Sequence, residues 1–128
     1  MKIQTTALVH CAMEMERLGL EHLAEHLPFS LRLTYADLAA PGILHKLDEK
    51  PDLIILCEME GDGDFGLAQK IKLFAPDIPL LVMIPAVPKS YLNYLRQVLV
   101  DEIIQKPFKE GEFEKALVRM ISPYSSHS

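Results

Sequence analysis

Short apolar runs alternate along this chain with segments whose apolar residues recur every three or four positions. Thr6-Ala-Leu-Val-His10 is mostly apolar and suits a buried strand. Residues 13–27 follow with Leu20, Leu23, Ala24 and Leu27 at helical spacing, and Glu16, Arg17, Glu21 and Glu25 at the polar positions. Leu31–Tyr35 alternates and carries β-branched and aromatic residues, which predicts a second strand. Asp37 is placed to cap a helix over 38–49, although Pro41 and Gly42 disturb its first turn. Leu53–Cys57 is a third, almost wholly apolar strand, followed by the acidic loop 58–64. Gly66–Phe74 is helical, with Leu67, Ile71 and Phe74 on one face. Pro76 and Pro79 bracket a turn into a fourth strand, Leu80–Ile84. A helix over 88–99, a short strand Glu102–Gln105 and a helix Glu110–Ile121 complete the series. The polar tail 122–128 is expected to be flexible.

Strands alternating with helices imply parallel pairing, because each connection must cross over a sheet face. The continuously apolar middle strands imply helices on both faces. The expected architecture is α/β: one doubly wound, five-stranded parallel sheet in the flavodoxin-like order 2-1-3-4-5.

At 128 residues the chain suits one domain, which burial alone can stabilise. Hydrophobic content of 49% and charged content of 24% are ordinary for a globular protein. A formal net charge of -5 argues against direct binding of nucleic acid or of an anionic membrane. No apolar run approaches the roughly 20 residues that span a bilayer, and no signal peptide is evident. Two cysteines make no disulfide framework, so a cytoplasmic protein with reduced thiols is expected.

Three stretches narrow this further. Pro51-Asp-Leu-Ile-Ile-Leu56 resembles the third strand of a response-regulator receiver domain. Asp101-Glu-Ile-Ile-Gln-Lys-Pro-Phe108 resembles that family's fifth strand with its Lys-Pro-Phe ending. Pro76-Asp-Ile-Pro79 before Leu-Leu-Val-Met83 resembles its approach to the fourth strand. The resemblance spans residues 5–121 and defines a receiver-like domain over 1–121, with 122–128 as its tail.

In that family an acidic pair after the first strand and an acceptor aspartate ending the third hold a divalent metal. A hydroxyl ends the fourth strand, and a lysine follows the fifth. Aligned with that pattern, this sequence has His10 and Cys11 in place of the acids, Cys57 in place of the acceptor and Ile84 in place of the hydroxyl. Lys106 is retained, whereas the mobile aromatic position holds Ile103. Asp64 matches the family's loop acid, but Phe65 stands where glycine is expected. The resemblance therefore implies a pseudo-receiver in two-component (phosphorelay) signalling that lacks the phosphoacceptor. It implies protein–protein interaction rather than catalysis. The expected partner is another signalling protein or a second copy, met through the 88–99 helix, the 102–105 strand and the 110–121 helix.

The residues themselves leave alternatives. Cys11 and Cys57 end adjacent strands and read most simply as small core thiols. With His10 they offer a redox or soft-metal sensor instead, although their spacing matches no zinc motif. Lys106 is either a remnant paired with Glu58, Asp62 or Asp64, or an anion-binding group. The helix over 88–99 carries more apolar residues than a core stripe needs, which makes Tyr91, Leu92, Tyr94 and Leu95 candidate partner contacts. The remaining histidines, His22, His26, His45 and His127, sit in polar contexts. No metal site or cofactor is expected. A flavin would need a Ser/Thr/Gly-rich loop after the first strand, and residues 10–15 supply none.

Overall fold

In the computed structural model the described residues are 4–38, 40, 42–43, 50–57, 65–85, 89–97, 100–106 and 109–121. They form β1 (Thr5–His10), α1 (Glu14–Glu25), β2 (Leu31–Tyr35), β3 (Leu53–Cys57), α2 (Phe65–Phe74), β4 (Leu80–Ile84), α3 (Lys89–Gln97), β5 (Glu102–Gln105) and α4 (Glu110–Ile121). The expected helix over 38–49 falls largely outside the described residues, as do the acidic loop 58–64 and the tail. The five strands make one parallel sheet in the order β2-β1-β3-β4-β5. The expected topology is thus the observed one.

Burial along each strand follows its place in that order. Central β3 and β4 are buried at every residue, which is why both read as unbroken apolar runs. Edge strand β2 alternates half-buried Leu31, Leu33 and Tyr35 with exposed Arg32 and Thr34. The two-residue side-chain period then divides the core. Val9, Cys11, Ile55, Cys57 and Met83 gather with Leu20 of α1 and Phe113, Ala116 and Leu117 of α4. Leu8, Ile54, Leu56, Val82 and Ile84 gather on the other face with Leu67 and Ile71 of α2 and with Tyr91 and Leu95 of α3. Each fully buried Leu, Ile or Phe contributes roughly 1.5–3 kcal/mol.

Two aspartates clasp the lower ends of neighbouring strands by the same device. Asp52 Oδ2 accepts the Thr6 N–H at 2.7 Å, while the Asp52 N–H donates to the Thr6 carbonyl at 2.9 Å. Asp101 Oδ2 accepts the Leu80 N–H at 2.7 Å, and the Asp101 N–H donates to the Leu80 carbonyl at 3.0 Å. Lys72 Nζ donates to the same Asp101 oxygen at 3.1 Å and to the Ile78 carbonyl at 3.1 Å. Asp52 in the Pro-Asp-Leu stretch is therefore a structural clasp at the sheet end opposite Cys57. Arg119 of α4 grips both carboxylate oxygens of Glu102 at 2.8 and 2.9 Å, which aligns α4 along β5.

Candidate functional site

The carboxyl ends of parallel strands are where this class of fold places ligands. At those ends the register runs His10 beside Leu56, Cys57 beside Met83 and Ile84 beside Gln105. Cys11 lies one step past His10 and Cys57 one step past Leu56, so the two cysteines are neighbours across the β1–β3 pair. Both are buried, at 3% and 5% exposure, in one core cluster, and their sulfurs influence each other's protonation. Both are free thiols.

The pair shares its protons unequally. The hydrogen bond from Cys57 is the main force drawing Cys11 down from its ordinary value of 9.0 to about 7. Burial opposes this, while the Met13 backbone and the positive charges of Lys106 and Arg17 assist. Cys57 is pushed well above the thiol range, first by donating to Cys11, then by its own burial and by the Cys11 charge. As a thiol Cys11 donates from Sγ to the Met13 carbonyl at 3.7 Å; once ionised it is the member of the pair that carries the charge, while Cys57 keeps its proton. Arg17 buttresses the turn: its Nε donates to the Cys11 carbonyl at 2.7 Å, and its guanidinium lies 5.2 Å from the centre of the Tyr35 ring. The Tyr35 hydroxyl donates to Glu21 at 2.7 Å. Burial, reinforced by that bond, raises the phenol above its ordinary range.

Lys106 arrives at the same place from β5, its N–H anchored on the Ile84 carbonyl at 2.8 Å. Its ammonium forms an ion pair with Glu16 of α1, and both side chains are largely buried, at 29% and 22% exposure. Burial lowers the Lys106 pKa, and the Cys11 charge pulls it back up. Glu58, Asp62 and Asp64, the partners expected for Lys106, lie outside the described residues, and the partner found is Glu16. Nothing in the spacing signals this pair, because its members lie near opposite ends of the chain. It arises from topology, since α1 starts after β1 and Lys106 follows β5, both at the carboxyl ends of the parallel strands. A cleft of about 370 Å³ opens beside the pair, between Glu16, Gly19 and Leu20 of α1 and the strand-end residues Cys57, Met83 and Lys106.

His10 does not join the thiols. Strand alternation turns it to the opposite sheet face, where Nδ1 accepts the Leu38 N–H at 3.0 Å and stands 3.7 Å from Asp37. An accepting Nδ1 puts the ring proton on Nε2. The expected grouping of His10 with Cys11 and Cys57 therefore separates into a thiol pair and a remote imidazole. Among the described residues no group of three or more His, Cys, Asp or Glu side chains can hold a metal ion. The donors at the described strand ends are thiols, which do not suit the hard, octahedral demands of Mg²⁺. Ile84 is fully buried against α2 and α3, and Ile103 packs on the same cluster.

The α3 candidates divide as well. Tyr91 and Leu95 point into the core at 8% and 0% exposure, so neither forms a contact surface. Leu92 and Tyr94 are half-buried at its edge, with the Tyr94 ring 6.0 Å from that of Tyr91. The large apolar side chains that are exposed lie elsewhere: Met13, Met15 and Leu18, then Leu73 and Phe74, then Val118.

No family model and no curated protein matches the chain. Solved structures do. A response regulator from Thermotoga maritima superposes with a TM-score of 0.73 at 20% identity, over 94% of this chain and 99% of that one. The chain has the response-regulator receiver fold. A signal receiver domain of a two-component histidine kinase from Clostridium thermocellum gives a TM-score of 0.77 at 16% identity, over 94% and 99% of the two chains. RcsB from Salmonella enterica serovar Typhimurium, solved on promoter DNA with the phosphomimetic BeF3-, gives 0.74 at 16% identity; it covers 96% of this chain and 72% of that one. At these identities the likeness is one of fold. No helix among the described residues is long and apolar enough to cross a membrane.

Proposed function

We propose that this protein is a pseudo-receiver: a signalling module of the two-component type that acts by protein–protein interaction without forming an acyl phosphate. The observation that carries this reading is the occupied lysine. In a working receiver the strand-end lysine neutralises an incoming phosphate; here the Glu16 carboxylate already neutralises Lys106. Beside it, the position that would accept phosphate holds the buried thiol of Cys57, and the neighbouring strand supplies another thiol instead of metal-binding acids. A partner that drew Lys106 away would have to displace the Glu16 carboxylate from a partly buried site. The module thus rests in one arrangement set by its own side chains.

The partner is another signalling protein or a second copy, engaged along the α3–β5–α4 face. Of the candidates on α3, the half-buried edge residues Leu92 and Tyr94 are the ones that reach the surface, together with exposed Val118 of α4. A net charge of -5 weighs against direct DNA contact by this chain, although RcsB is solved on promoter DNA.

Beryllium fluoride with Mg²⁺ tests the reading through backbone amide NMR spectra. The amides of Cys57, Ile84 and Lys106 are expected to stay in place. Saturable shifts of those three amides would show a working phosphate site and overturn the proposal.

A further inference from the structure

The Cys11–Cys57 pair is a built dithiol rather than two core thiols that happen to be near. In-register neighbours on adjacent strands lie about 4.8 Å apart, inside the roughly 4.4–6.8 Å Cα separation a disulfide spans. The β1–β3 ladder ends with His10 paired to Leu56; Cys11 is the next residue after β1 and Cys57 the last of β3, so the two follow the final paired positions of adjacent strands. Both side chains lie on the same sheet face, in the core cluster shared with α1 and α4. The cleft beside Lys106 reaches Cys57 from solvent, and Gly19 on its wall has no atom within 4 Å of where a Cβ would stand. A small oxidant therefore enters on the Cys57 side of the pair and meets Cys11 across the sulfur of its neighbour.

We infer that Cys11 and Cys57 are a peroxide-oxidisable dithiol that closes to an intramolecular disulfide joining the ends of β1 and β3. The Cys11 thiolate attacks one oxygen of a hydroperoxide; an S–O bond forms, the O–O bond breaks and hydroxide leaves. Cys57 then attacks the sulfur of the Cys11 sulfenic acid; the S–S bond forms, the S–O bond breaks and the hydroxyl departs as water with the Cys57 proton. Solvent protonates the released hydroxide. Two thiols lose two electrons, and hydrogen peroxide gains them to become two waters. The thiolate needed for the first step is present at neutral pH, since Cys11 ionises near 7. The inference concerns the thiols alone and stands apart from the pseudo-receiver reading.

The test is a hydrogen peroxide titration of the full chain, followed by non-reducing digestion and peptide mass mapping. Exposed Met15, at 74% exposure, serves as an internal reference for unassisted oxidation. The expected result is loss of both titratable thiols and a joined Cys11–Cys57 peptide before Met15 is oxidised, reversed by dithiothreitol. Cys57→Ser should stop at a Cys11 sulfenic acid that dimedone captures, and Cys11→Ser should leave Cys57 unoxidised. Three results overturn the inference: Met15 oxidised while both thiols persist, dimedone capture at Cys57 in the Cys11→Ser variant, or disulfides formed only between molecules.

Discussion

Replacing Cys57 with alanine removes the donor that keeps Cys11 ionised. In the native chain Cys11 falls from 9.0 to about 7. About half of the Cys11 population is then thiolate at pH 7, where an ordinary thiol would be roughly 1% ionised. The difference corresponds to a preference on the order of 3 kcal/mol. In Cys57→Ala, burial of Cys11 is opposed only by the Met13 backbone and by the charges of Lys106 and Arg17, all weaker than the lost bond. The thiolate fraction at pH 7 should fall, by up to about fifty-fold if Cys11 returns to 9.0. Thiolate ultraviolet absorbance against pH reads this directly and needs no access to the buried sulfur. The native chain should show one step near pH 7 and no second step in the ordinary thiol range. Cys57→Ala should show its step at clearly higher pH than the native chain, because the largest cause that lowers Cys11 is gone. A step that stays near 7 in Cys57→Ala would refute the shared-proton arrangement.

The same pair sets a pH dependence of stability. Between about pH 7 and 9 the folded chain has released the Cys11 proton while the unfolded chain holds both, so stability rises with pH. Above about 9 the unfolded chain releases both and the folded chain keeps the one on Cys57, so stability falls. Urea midpoints of the native chain, corrected by those of a Cys11→Ala/Cys57→Ala double variant, should peak near pH 9. Asp101→Ala should cost about 1–3 kcal/mol, because it strands the Leu80 N–H of a fully buried residue. Asp52→Ala should cost under about 1 kcal/mol, since water reaches the half-buried Thr6 N–H. Equal shifts in urea midpoint would contradict that difference. Tyr91→Ala should cost about 3 kcal/mol or more as a core truncation, and Tyr94→Ala much less, by the same measurement. Cys57→Asp should remain unphosphorylated by acetyl phosphate and Mg²⁺, because His10 and Cys11 still stand in place of the acidic pair and Glu16 is engaged by Lys106; an acyl phosphate on the introduced carboxylate would refute this.

The fold was readable because each strand's burial follows its place in the sheet. Unbroken apolar runs at Leu53–Cys57 and Leu80–Ile84 could only be central strands, and alternation over Leu31–Tyr35 marked an edge. Helix ends were less legible. α1 starts after Met13, which offers no capping side chain, so nothing local fixes its first residue. At the site, proximity in sequence misled where alternation would have served. His10 and Cys11 are adjacent in the chain and therefore on opposite faces, while Cys11 and Cys57 share a face across two strands. The excess apolar residues of α3 suggested an open patch, but Tyr91 and Leu95 are absorbed by the core they share with α2. The Glu16–Lys106 pair was invisible because no periodicity links a helix's first turns to a lysine after the last strand.

The central claim is that no residue of this chain accepts a phosphoryl group at the strand ends. Intact-mass spectrometry after incubation with acetyl phosphate and Mg²⁺ measures it most directly. An unchanged mass is predicted, under conditions that phosphorylate a working receiver in parallel. A hydroxylamine-sensitive phosphoryl adduct on any aspartate or glutamate would contradict it.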